Sequence, residues 1–174
     1  MSGVVVARVA LVGLVVLVLQ VSFVSQVTIL GARGNVVLLF AIAAGLETDA
    51  PRGAIAGFSL GLALDLLLDT PVGLSALTMA LVGYGVGSAK DLVLRSSRLI
   101  NLALVALASA AGTLLYAGAA VVLGVTVDPA DLPAIVAVIA AVNALLSTPL
   151  RWALRWAYGS EGRGPRRDQP LFRR

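Results

Sequence analysis

The chain has 174 residues, 59% of them hydrophobic and 13% charged, with a mean hydropathy of +0.99. That balance excludes a water-soluble domain, which needs more polar surface than this to cover its core, and makes the bilayer the solvent. The absence of Cys and His removes disulfide frameworks, most metal sites and the commonest general base, and the 13 basic residues flank apolar runs instead of forming a groove-like patch, which excludes nucleic acid as a partner.

With roughly 20 apolar residues to a crossing, hydropathy predicts six spans, over residues 5–25, 34–47, 53–69, 72–89, 99–124 and 132–153. The first apolar run is longer than the ~7 to 15 residues of a signal-peptide core and no small-x-small cleavage site follows it, so it is read as a span. The second is the weakest, because only Val36 to Leu46 is free of charge or strong polarity; a short or tilted helix is expected there. Asp128, Pro129, Asp131 and Pro133, between the last two spans, are turn and helix-start residues. The expected organisation is all-α: one polytopic domain of six transmembrane helices over residues 1–158, then a flexible basic tail over 159–174, rich in Gly, Pro and Arg.

Charge orients this arrangement. If both termini are cytoplasmic, Arg8, Arg52, Lys90, Arg95, Arg98, Arg151, Arg155 and the tail arginines all fall inside, and Arg33 alone lies outside. A re-entrant second run would carry Lys90, Arg95 and Arg98 to the outer side, so six spans fit the rule better than five.

The third span holds the most informative pattern. Gly53, Gly57, Gly61 and Asp65 are spaced four apart, a slowly winding helical stripe of missing side chains that ends in a carboxylate. Small residues at this spacing let helices meet backbone to backbone in lipid, and Gly83 and Gly87 offer a matching face on the fourth span. Two uses are open: packing of spans three and four within the chain, or a face for a partner subunit, a second copy of the chain included. Asp65, near the outer end of its helix, needs compensation for the helix dipole and for apolar surroundings. Arg33 is the candidate outer ion-pair partner for Asp65 or Asp69; hydroxyls of Ser75, Thr78 or Tyr84, or simple solvation at the interface, are the alternatives.

Other polar positions carry weaker signals. The string Gly57-Phe58-Ser59-Leu60-Gly61 has the spacing of a serine-hydrolase elbow, but that motif needs a strand-turn-helix and a base, and no His exists here to take the serine proton. No catalytic, cofactor-binding or metal-binding residue is assigned, and the chain reads as a non-enzyme. Asn101 and Asn143 lie at membrane depth, where such residues usually hydrogen-bond to a neighbouring helix and less often touch a ligand. Pro149 is expected to bend the sixth helix, leaving Trp152, Trp156 and Tyr158 at headgroup level and Arg151 and Arg155 facing anionic lipid.

Pro51 and Gly53 at the start of the third span, the run Gly57, Phe58, Gly61, Leu62, Asp65, Leu66, and the turn Pro71, Val72, Gly73 leading to Gly83 and Tyr84 together resemble the rod-shape-determining protein MreD family. The resemblance implies a six-helix fold like the substrate-binding subunits of energy-coupling-factor vitamin transporters. It also implies a bacterial inner-membrane scaffold of cell-wall elongation that binds the bitopic protein MreC and, through it, couples MreB filaments to the peptidoglycan synthase RodA and its transpeptidase. The Arg-rich tail departs from the common family pattern. The rival reading on the same fold is a small-molecule, vitamin-type uptake subunit, which would need a sealed cavity with polar groups that fix a ligand; Asp65, Asn143, Tyr84 and a few hydroxyls are the sparse candidates.

Overall fold

The computed structural model describes residues 2–26, 28–29, 32–68, 71–93, 98–126 and 128–159. Six helices account for nearly all of them: α1 (Gly3–Leu19), α2 (Val36–Glu47), α3 (Ala50–Leu67), α4 (Leu74–Val93), α5 (Arg98–Val122) and α6 (Leu132–Tyr158). A five-residue π-helical turn, Gln20–Val24, extends α1, and a short antiparallel ladder pairs β1 (Thr28–Ile29) with β2 (Ala32–Arg33) before α2. The tail from residue 160, Asp69, Arg95 and the side chains of Arg33 and Arg98 lie outside the described residues.

The helix starts follow local chemistry. Asn35 caps α2 by accepting the Leu38 N–H at 2.9 Å, and Asp49 caps α3 by accepting the Arg52 N–H at 3.0 Å, with Pro51 in the first turn where its missing N–H costs nothing. Asp128 accepts the Ala130 N–H at 2.9 Å, tightening the turn into α6. That helix continues through Pro149 to Tyr158.

Consecutive helices run in opposite directions. Arg8, Glu47, Arg52, Arg151 and Arg155 gather at one end of the bundle, as shown by the Glu47 contacts with Arg151 and Arg155, the Asp49–Arg52 pair and the seat of Arg8 over the Trp156 ring. Gln20 with Gly34 and Val36, and Asp65 with Ser75, mark the other end.

α2 lies at the centre. Every residue from Val36 to Leu46 is buried, and the helix packs against each of the other five. A helix that is apolar on all sides belongs in such a place. Its 12 residues rise only about 18 Å, less than the hydrocarbon thickness of about 30 Å. Four helical segments, Gly3–Val24, Ala50–Leu67, Leu99–Val122 and Leu132–Tyr158, are long and apolar enough to cross a membrane, and Val36–Glu47 is a shorter apolar helix. Large apolar side chains point outward, among them Leu14, Ile55, Leu66, Leu107 and Leu145, as expected for a surface bathed in lipid.

Candidate functional site

The closest helix pair is α3 against α4, and glycine makes the approach possible. A Cβ built on Gly53 would stand 2.5 Å from the Gly83 carbonyl oxygen and 2.7 Å from the Gly45 Cα. One built on Gly83 would fall on the Gly53 carbonyl, and one on Gly57 would fall on the Met79 carbonyl. Further along, a Cβ on Gly61 would lie 2.8 Å from Ala76 Cα, and one on Gly87 2.6 Å from Ala50 Cα. Gly53, Gly57, Gly61, Gly83 and Gly87, the stripe and its matching face, therefore all lie in this crossing, backbone against backbone. Gly45 of α2 is a sixth member, since its own Cβ would stand 2.5 Å from the Gly83 oxygen. Because this face is filled within the chain, a partner helix cannot use the same glycines. Phe58 lies on the opposite, exposed side of α3.

The crossing ends at Asp65, which is only 2% exposed. Its carboxylate accepts the Gly73 N–H at 2.9 Å, the Ser75 N–H at 3.1 and 3.2 Å to the two oxygens, and the Ala76 N–H at 3.2 Å. These amides open α4, whose first turn would otherwise hold orphan donors. Asp65 thus caps a neighbouring helix from eight to eleven residues away, with its negative charge at the positive end of the α4 dipole. The turn between them requires glycine: Gly73 has φ +97° and the Leu74 N–H bonds back to the Pro71 carbonyl at 3.1 Å, the position where a type II turn demands positive φ.

Burial rules out the solvated placement considered for Asp65, and its compensation comes from backbone amides instead of the hydroxyls of Ser75, Thr78 or Tyr84. The Thr78 hydroxyl donates to the Leu74 carbonyl at 2.8 Å, and Tyr84 is exposed. The expected pairing of Arg33 with Asp65 or Asp69 falls on the Arg33 side chain and on Asp69, both outside the described residues. The absence of a capping Ser, Thr, Asp or Asn at position 73, just before an apolar helix, is the one sequence signal from which a cap supplied from elsewhere could have been read.

Two further polar attachments, at Glu47 and Gln20, escaped sequence reading, and a third, at Asn143, was expected from it. At the C-terminus of α2, Glu47 accepts from Arg151 Nε at 2.7 Å and meets Arg155 Nε at 3.3 Å. The expected facing of Arg151 toward lipid is corrected by this pair, whose two side chains are only 13% and 11% exposed; an acidic residue at a helix C-terminus requires such cations. Tyr158 is likewise buried within the bundle. At the other end, the buried Gln20 accepts the Val36 N–H at 2.7 Å and donates to the Gly34 carbonyl at 3.0 Å. The π-helical turn exposes the Gln20 carbonyl to Ser25, whose N–H and hydroxyl both reach it, at 2.9 and 2.7 Å. In the α5–α6 interface, Asn143 donates to the Ser109 hydroxyl at 3.0 Å while its Oδ1, like Asn101 Oδ1, is buried without a hydrogen-bond partner.

Ser59 of the elbow-like string sits within α3, its hydroxyl donating to the Ile55 carbonyl at 2.8 Å, with none of the strand-turn geometry of a nucleophile. Among the described residues, no three of His, Cys, Asp and Glu come together.

Apolar outward faces, a central buried helix and glycine-locked crossings define a multi-pass helical membrane protein. A family model described as rod shape-determining protein MreD matches residues 3–152. The chain belongs to the MreD family, which gives it a role in rod-shape determination. Among the curated proteins and the solved structures, nothing matches it.

Proposed function

We propose that the chain is a non-catalytic scaffold of the cell-wall elongation machinery in the bacterial inner membrane, crossing it six times with both ends in the cytoplasm. Three features support the topology. The helices alternate in direction, Arg8, Arg52, Arg151 and Arg155 gather at the end shared by the start of α1 and the end of α6, and α2 is shielded from lipid by its neighbours. Because lipid does not set its length, a helix of about 18 Å can serve as one of six crossings.

The observation that carries the scaffold reading is the family match over residues 3–152. The packing agrees with it: α2, α3 and α4 are fused by glycine contacts into a unit with little room to rearrange, which is what a platform requires. The remaining candidate face is the outward side of α3, where Ile55, Phe58 and Leu66 are exposed with the spacing of a helix-docking stripe. An MreC-type bitopic membrane protein would place its single helix there, linking MreB filaments indirectly to a RodA-type synthase. In this scheme the fold is akin to that of energy-coupling-factor substrate-binding subunits, put to use without a substrate.

Affinity purification of the full chain from membranes of its native host tests the assignment. Retention of the host's MreC-type protein, lost on Phe58→Ala with the chain still folded, is the expected result. Retention of transporter ATPases together with binding of a labelled vitamin would move the assignment to the uptake class.

A further inference from the structure

Beside the scaffold core, α1 and α6 part to leave an open groove of about 790 Å³, walled by Val12, Val15 and Val16 of α1 and Val142, Leu146 and Leu150 of α6. α1 is held at both ends of the groove. Gln20 is bonded to Gly34 and Val36 at one end, and Arg8 of α1 stands 5.1 Å from the ring centroid of Trp156 on α6 at the other. From Val142 to Trp156, α6 rises about 21 Å, more than the ~15 Å of one leaflet's share of the hydrocarbon. Protein does not fill the groove, and an apolar void of this size forfeits the dispersion contacts of its lining.

The chemistry of the two ends differs. At the Gln20 end the walls are apolar up to Phe23 and Val24. At the other end, Trp152 and Trp156 line the groove and are exposed, a pair of amphipathic rings at the level where headgroups lie. The Arg8 guanidinium sits over Trp156, whereas Arg155, the residue before Trp156, is paired with Glu47 of α2 and is not part of the groove wall. The groove thus combines aliphatic walls and an indole collar with one guanidinium group, that of Arg8, at a single end.

We infer that the α1–α6 groove is a binding site for one anionic phospholipid of the leaflet on the Arg8 side, with an acyl chain against Val15 and Leu146 and the phosphate at Arg8. A polypeptide helix would leave the guanidinium end without an anionic partner, whereas a phospholipid satisfies both ends of the groove with one molecule. The lipid completes the attachment of α1, the helix most lightly packed against the others, and makes its position responsive to the anionic content of the membrane.

Native mass spectrometry of the full chain, exchanged into micelles holding equal amounts of dioleoyl phosphatidylglycerol and dioleoyl phosphatidylcholine, tests this. One retained phospholipid is expected, with phosphatidylglycerol preferred about fivefold on the strength of one surface guanidinium. Arg8→Gln should bring the ratio close to unity while a lipid is still retained. Val15→Trp with Leu146→Trp, both at exposed positions that the fold does not need, should abolish retention. Equal retention of the two lipids by the unaltered chain, or full retention by the filled groove, overturns the inference. So does a photocrosslinker at position 146, in the chain as purified from membranes, that labels a co-purified transmembrane polypeptide and no lipid.

Discussion

The backbones of Gly53 and Gly83 meet so closely that a methyl group on either would collide with the carbonyl oxygen of the other. Neither obstacle is a flexible side chain, so the helices themselves must move apart. Gly83→Ala should therefore destabilise the protein by about 1–3 kcal/mol, the usual range for overpacking. Gly85, two residues on, has no atom within 4 Å of its built Cβ, and Gly85→Ala should be neutral or mildly stabilising. Denaturation of both variants in the same detergent gives the comparison, and equal behaviour would mean that α3 and α4 do not approach as described.

Asp65 makes a different kind of contact, in which one carboxylate satisfies three amides at the start of α4. Asp65→Ala leaves those N–H groups without their acceptor and should cost about 1–3 kcal/mol. Asp65→Asn keeps one acceptor oxygen and should lose less. Amide exchange at Ser75 and Ala76 should accelerate in the order wild type, Asn, Ala; unchanged protection in the Ala variant would show that α4 starts without this cap.

Glu47 and Arg151 form an almost wholly buried pair, and removing one partner strands the other's charge. Glu47→Gln is expected to cost about 3–5 kcal/mol. Arg155→Ala, which removes a largely exposed partner, should cost no more than about 1 kcal/mol. Unfolding measurements on the two variants should separate them clearly, and similar losses would contradict the different burial of the two arginines.

Gln20→Leu keeps the size of a buried side chain but deletes both of its bonds to the start of α2. A loss of about 1–3 kcal/mol is expected, with faster amide exchange at Val36 as its local signature. If exchange at Val36 does not change, the π-helical turn is held by Ser25 alone.

These four attachments also explain how far the sequence could be read. Helix positions followed from hydropathy, because each apolar run has to be buried or face lipid, and the Gly53, Gly57, Gly61 spacing pointed to a close crossing with α4. Gly45 went unnoticed because it stands alone in its helix, and its role depends on a third helix crossing there. Glu47 and Arg151 are 104 positions apart, so no local pattern joins them; the only hint was a carboxylate at the end of an apolar run, which calls for a cation. The structure does group Arg151 with Arg8, Arg52 and Arg155 at one end, but charge counting could not tell a lipid-facing arginine from one turned inward. The π-helical turn depends on Gln20 reaching Gly34 and Val36, and an isolated polar residue in an apolar span announces a partner without naming it.

The claim on which the account depends is that this chain serves rod-shape determination as a scaffold. Depleting it in its native host while measuring cell width and mapping new peptidoglycan insertion with a fluorescent D-amino acid tests that claim most directly. Widened or rounded cells with misplaced insertion and normal uptake of vitamins from the medium are the expected result. Cells of normal width and normal insertion, with one uptake activity lost, would contradict it.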